Sequence, residues 1–183
     1  TDAWVWHHGF EAWGSQRWAC LDVLNHYFKE FDSIEEVVEC SQWLQCEGYK
    51  AIFEEGRRQW PYCSMTINWC FNEPWPTAAN NSLVSYPDVV KPAYYSVKQA
   101  LRPSLASLRA NKNLWKGGEI FRAELWMLND AISKLSLGKV DVFYAFNDEE
   151  YTRYGSLEIG EVNAQSNRIL GEIVLPVKES ANS

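Results

Sequence analysis

The stretch I-N-W-C-F-N-E-P-W-P, residues 67–76, combines an apolar run with two tryptophans, an amide, a carboxylate and two prolines. The residues from Cys63 onward are almost wholly apolar, which is typical of a strand buried on both faces. Pro74 and Pro76 end that strand, because proline cannot donate a hydrogen bond to a sheet ladder. We therefore predict a buried strand over residues 63–71 that ends in a polar and aromatic segment.

The side chains around the end of this strand predict a carbohydrate site. Aromatic rings stack on the C–H faces of sugars, and amides and carboxylates bind hydroxyl groups through directed hydrogen bonds. The candidate binding residues are Trp69, Asn72, Glu73 and Trp75. The alternative is that the rings only fill a hydrophobic core, as the side chains of a buried strand do.

A long helix is predicted over residues 33–59, directly before the strand. Ser33 and Glu36 have the spacing of a capping box, and Pro61 follows the last turn. A shorter amphipathic helix precedes it over residues 17–30. A long helix that leads into a buried strand is an α/β unit of the kind found in parallel sheets and barrels.

The hydrophobic period changes after Pro103. A last helix is predicted over residues 91–101, with proline in its first turn. Beyond it, apolar and polar residues alternate over 121–127, 140–146 and 169–177, with Asn, Asp and Gly turn signals between these runs. This pattern predicts a small antiparallel β-sandwich of immunoglobulin-like size, about 80 residues long.

Composition excludes several classes of partner. The formal net charge of −7 comes without a basic stripe, so we expect neither a nucleic acid nor a membrane as partner. The five cysteines form no CxxC pair, and we expect free thiols, no metal ion and no cofactor. The chain starts at Thr1 without methionine, which suggests a piece of a longer protein.

The order of these parts resembles glycoside hydrolase family 2, in its β-mannosidase branch. There the last barrel strand typically ends in W-Q-x-N-D-x-W-P, and residues 69–76 read W-C-F-N-E-P-W-P. Cys70 and Phe71 depart from this pattern, and Glu73 stands where it has Asp. The likeness extends to S-Q-W-L-Q-C-E-G-Y-K at 41–50, to Ser82 and Tyr86, to K-P-A-Y-Y-S-V-K-Q-A at 91–100, to R-P-S-L-A-S at 102–107 and to W-V-W-H-H at 4–8, which resembles the loop after the nucleophile strand.

The resemblance implies an α+β composite of two domains. Residues 1–101 would be the C-terminal segment of a TIM-barrel glycosidase domain, a partial (β/α) barrel remnant made of helices and the last barrel strand. Residues 102–183 would be the immunoglobulin-like antiparallel β-sandwich that follows it.

The resemblance also implies a retaining glycosidase, in which an acid/base and a nucleophile carboxylate lie about 5–5.5 Å apart. Both are expected upstream of Thr1. Trp69 would lie under the sugar whose bond is cleaved, Asn72 and Glu73 would occupy the family's Asn-Asp positions, and Trp75 would form a wall of the pocket. The expected partners are an oligosaccharide or glycoside substrate and the remainder of the parent chain.

Two alternatives stay open. Asn72-Glu73-Pro74 also looks like the acid/base tripeptide of many barrel glycosidases, which would make this strand the fourth and require about 100 further barrel residues before the nucleophile. The sequence predicts a sandwich there instead. The second alternative is a non-catalytic carbohydrate-binding or structural β-sandwich module.

Overall fold

The computed structural model describes residues 21–28, 30–77, 80–136, 138–146 and 149–179. The W-V-W-H-H motif at 4–8 and the start of the first predicted helix lie outside the described residues. The chain divides into two compact units. The first contains Cys63–Leu101 and the described part of Thr1–Gly56, and the second contains Arg57–Tyr62 and the described part of Arg102–Ser183.

Three helices are present in the described residues: α1 (Leu21–Tyr27), α2 (Ile34–Arg58) and α3 (Pro92–Ala100). The predicted capping signal at the start of α2 is confirmed. The Ser33 hydroxyl accepts the Glu36 N–H at 3.2 Å, and the Glu36 carboxylate accepts the Asp32 N–H at 2.9 Å. Two of the N–H groups at this helix start therefore have partners.

The prediction of a strand buried on both faces over residues 63–71 is wrong for this chain. No strand is assigned there, and Met65 and Ile67 have 72% and 78% of their surface exposed. A strand needs neighbours to pair with, and the described residues supply none along residues 63–69. Pairing starts only at the end of the segment, where the Cys70 and Phe71 carbonyls accept the Leu83 N–H and Asn72 forms a parallel bridge with Val84.

A short antiparallel hairpin follows, made of β1 (Val84–Ser85) and β2 (Val89–Val90). Its base is closed by the Lys91 N–H, which donates to the Leu83 carbonyl at 3.0 Å. Buried side chains from α2, the hairpin base and α3 form the core of the first unit: Phe53, Leu83, Ala93, Val97 and Ala100. The Leu83 and Val84 N–H groups donate to the Phe71 carbonyl, each at 3.0 Å, and this places the hairpin beside the end of residues 63–73.

The second unit contains two antiparallel sheets. Its strands are β3 (Ser104–Ala110), β4 (Ile120–Asn129), β5 (Lys139–Tyr144), β6 (Thr152–Glu158) and β7 (Ser166–Pro176), ordered β3-β4-β7 and β5-β6. Leu125, Val142 and Ile173 bring the two sheets together in one core. Alternation predicted β4, β5 and β7, but β3 and β6 lack a clear apolar period and were not predicted.

The fold is α+β with antiparallel sheets, and the second unit is consistent with the predicted β-sandwich. Among the described helices, none combines the length and the apolarity that crossing a bilayer requires.

Candidate functional site

Three of the four predicted binding residues, Trp69, Asn72 and Trp75, lie on the surface. Trp69 has 82% of its surface exposed and Trp75 has 63%, and Asn72 between them is exposed as well. Neither ring lies in a buried core formed by the described residues. Two indole faces and an amide are therefore available to a ligand within seven residues of chain.

Glu73 is the exception, because it is buried with only 5% of its surface exposed. Its Oε1 accepts hydrogen bonds from the Ser82 hydroxyl at 2.8 Å and from the Lys91 ammonium at 3.2 Å. Its Oε2 accepts the Tyr86 N–H at 3.1 Å. A buried carboxylate requires such partners, because desolvation without them is costly.

The hairpin explains why these partners meet. The Glu73 N–H donates to the Val84 carbonyl at 3.0 Å, which places Glu73 beside β1. Ser82 and Lys91 stand just before β1 and just after β2, on opposite sides of the hairpin base. The Lys91 ammonium bonds to the Ser82 hydroxyl at 3.0 Å and to the Asn80 carbonyl at 2.9 Å.

Helix α2 also bonds to the loop before the hairpin, at Asn81 and Ser82. The Tyr49 hydroxyl donates to the Asn81 carbonyl at 2.7 Å, and the Gln45 amide donates to the Asn81 and Ser82 carbonyls at 2.9 and 3.2 Å. The residues that lead into the hairpin, 80–82, are therefore bonded both to α2 and to Lys91 directly after β2.

The environment of Glu73 favours its ionised form. Burial raises the pKa of the Glu73 carboxyl, but the Tyr86 N–H, the Ser82 hydroxyl and the Lys91 ammonium together outweigh it, and the pKa lies below its ordinary value. A general acid needs the opposite, a carboxyl that keeps its proton near neutral pH. The geometry therefore gives no support to Glu73 as the acid/base.

The sequence analysis assigned no role to Lys91, although the charge of Glu73 pointed to a basic partner. A carboxylate at the end of a buried strand needs a cation, and Lys91 is the first basic residue after Glu73. Within the described part of the chain, no three His, Cys, Asp or Glu side chains converge as metal ligands would.

Comparisons with known proteins bear on the family. The chain is 28% identical over 117 residues to β-mannosidase B of Aspergillus niger and 26% identical to that of Emericella nidulans. Each alignment covers 60% of this chain but 14% of the relative, so the chain matches a small part of these curated proteins. No protein-family model matches the chain.

A solved structure supports the fold. An exo-chitosanase variant of Amycolatopsis orientalis, in complex with PNP-β-D-glucosamine, matches with a TM-score of 0.57 and 17% identity. The match covers 87% of this chain and 21% of the chitosanase chain. The likeness predicted from the motifs is confirmed: the chain resembles a C-terminal part of glycoside hydrolase family 2 enzymes, among them β-mannosidases.

Proposed function

We propose that this chain is the C-terminal part of a retaining glycosidase. Residues 1–101 would be the end of its TIM barrel and residues 102–183 the immunoglobulin-like sandwich that follows. The similarity to β-mannosidase B supports the assignment to enzymes that cleave O-glycosyl bonds. The exposed row of apolar residues before Trp69 also supports it, because such a row fits a strand whose barrel neighbours belong to the rest of the parent chain.

The observation that carries the proposal is the exposure of Trp69 beside Asn72, where the segment begins to pair with β1. Trp69 offers a flat ring on which a sugar can stack, Asn72 offers an amide to a hydroxyl, and Trp75 offers a second ring at the edge. Glu73 belongs to this site by position, because it lies between Asn72 and Trp75 in the chain.

The catalytic carboxylates are proposed to lie outside this chain. A retaining mechanism needs an acid/base and a nucleophile about 5–5.5 Å apart. Glu73 is held as an ion by Lys91 and is occupied by protein donors, so it is poorly suited to either role. We therefore expect no hydrolysis of aryl glycosides by the 183-residue chain alone.

The test uses the full-length protein that carries this chain, with aryl β-mannosides and aryl β-glucosaminides as substrates. Trp69→Ala should lower kcat/KM by about ten- to a hundredfold, because the stacking surface is lost. Tyr151→Ala is the matched control, since it removes an exposed ring from the second unit. An active full-length enzyme that tolerates Trp69→Ala would contradict the assigned site.

A non-catalytic binding module is the second candidate, and the exposure of both Trp69 and Trp75 is what favours it. Such a protein would hydrolyse none of the substrates at full length, yet it would bind a β-linked oligosaccharide in calorimetry. Trp69→Ala would then abolish binding rather than turnover.

A further inference from the structure

We propose that Glu73 is a positioning residue: together with Ser82 and Lys91 it fixes the 80–91 segment against the 69–76 segment, and it does not itself contact the sugar. This inference rests on the proposed function above. It replaces the direct role in hydroxyl binding that the motif implied for Glu73.

The first argument is that neither carboxylate oxygen is offered to a ligand. Oε1 lies 2.8 Å from the Ser82 hydroxyl and 3.2 Å from the Lys91 ammonium, and Oε2 lies 3.1 Å from the Tyr86 nitrogen. The side chain is also buried, whereas Asn72 next to it is exposed. A sugar hydroxyl could reach Glu73 only by displacing protein atoms that cover it.

The second argument is that Lys91 is equally committed. An ammonium group has three N–H donors, and Lys91 directs them to Glu73 Oε1, the Ser82 hydroxyl and the Asn80 carbonyl. Lys91 is itself buried. The donors of Lys91 are therefore all used within the protein: one bonds to Glu73, and the other two bond to Ser82 and Asn80 in the loop before the hairpin.

The third argument is where the cluster acts. Glu73 follows Asn72 directly and stands two residues before Trp75, so holding Glu73 in place also restricts the chain that carries both. Tyr86 is held through its backbone N–H, and its ring is left half exposed at the turn between β1 and β2. Loss of any one of Glu73, Ser82 or Lys91 should therefore loosen the same two segments.

The first test needs no activity and uses the full-length protein that carries this chain. Glu73→Gln, Ser82→Ala and Lys91→Met should each raise amide hydrogen exchange in peptides covering 69–76 and 80–91. Glu158→Gln is the matched control, because it breaks the exposed Lys139–Glu158 pair in the second unit. Unchanged exchange over 80–91 in Glu73→Gln and Ser82→Ala would overturn the inference, whatever the function of the site.

The second test uses the full-length enzyme at a temperature at which circular dichroism shows every variant folded. Glu73→Gln and Ser82→Ala should each lower kcat/KM by about tenfold, and the double variant by little more, because both remove one cluster. The factor by which each variant lowers kcat/KM should be the same for the unmodified substrate and for each of its monodeoxy analogues. Lys91→Arg, which keeps the charge, should retain more activity than Lys91→Met.

The opposite pattern identifies a direct contact. If the loss of kcat/KM in Glu73→Gln disappears for one deoxy analogue only, Glu73 binds the sugar and the inference fails. The inference also fails if Ser82→Ala leaves kcat/KM unchanged, because the cluster would then not support the site. Trp69→Ala is measured in the same series. A neutral Trp69→Ala would contradict the proposed site, while the exchange experiment would still decide the role of Glu73.

Discussion

Adjacent residues of one short segment have opposite environments. Trp69, Asn72 and Trp75 are exposed, whereas Glu73 points into a cluster with a lysine and a serine. Burial of the Glu73 carboxylate is compensated by the Lys91 ammonium and two hydrogen-bond donors, which a carboxylate that leaves water requires. An indole ring or an amide can remain at the surface without such compensation.

At the residue scale, the lowered pKa of Glu73 predicts how stability depends on pH. Because the pKa is lower in the folded than in the unfolded state, the ionised carboxylate stabilises the fold above the unfolded-state pKa. That contribution is lost as the pH falls through the folded-state pKa. The melting temperature of the wild-type chain should exceed that of Glu73→Gln at neutral pH, and the gap should narrow below about pH 4. Differential scanning calorimetry measures the two melting temperatures. A difference between them that does not change with pH would contradict the expectation.

The motif predicted Glu73 as a site residue but did not reveal that its side chain is buried. Its partner Lys91 is 18 residues away along the chain. The two meet only after the hairpin pairs Val84 with Val90. No pattern within a short window contains that information, although the need of a buried acid for a base could have pointed to Lys91.

At the element scale, helix α2 and the 63–71 segment differ in what they need in order to form. The helix satisfies its backbone hydrogen bonds internally, and Ser33 and Glu36 cap its start. A strand must be paired by other residues, and the described residues provide that pairing only from Cys70 onward. The helix prediction is therefore confirmed, and the strand prediction is not.

The cap gives a direct test of the helix start. Ser33→Ala should destabilise the first unit by about 1 kcal/mol, because the Glu36 N–H loses its acceptor. Ser33→Asp keeps an acceptor at this position and should retain most of the stability. Urea unfolding followed by circular dichroism measures both. Equal losses in the two variants would show that capping is not the reason for the effect.

At the scale of the whole molecule, two apolar side chains of the segment before the site, Met65 and Ile67, are exposed. Together they expose apolar surface next to Trp69, which the proposed site leaves open to the sugar. Surfaces of this kind are normally covered. We propose that the rest of the parent chain covers this one.

The isolated 183-residue chain should therefore bind a hydrophobic dye and self-associate in sedimentation experiments. Replacing Met65 and Ile67 together by serine should reduce both effects. Ile132→Ser, which removes an equally exposed apolar side chain from the second unit, should not. A monomeric chain that binds no dye would contradict the proposal that a covering part is missing.

The sequence by itself determined the features that depend on short-range patterns. Helical spacing and a capping box predicted α2, alternation predicted β4, β5 and β7, and the motif at 69–76 pointed to the glycosidase relatives. The tertiary structure decided the exposure of the 63–71 segment, the pairing of β4 between β3 and β7, and the inward turn of Glu73. These features depend on contacts between residues far apart in the chain, whereas capping and hydrophobic period act within a few residues.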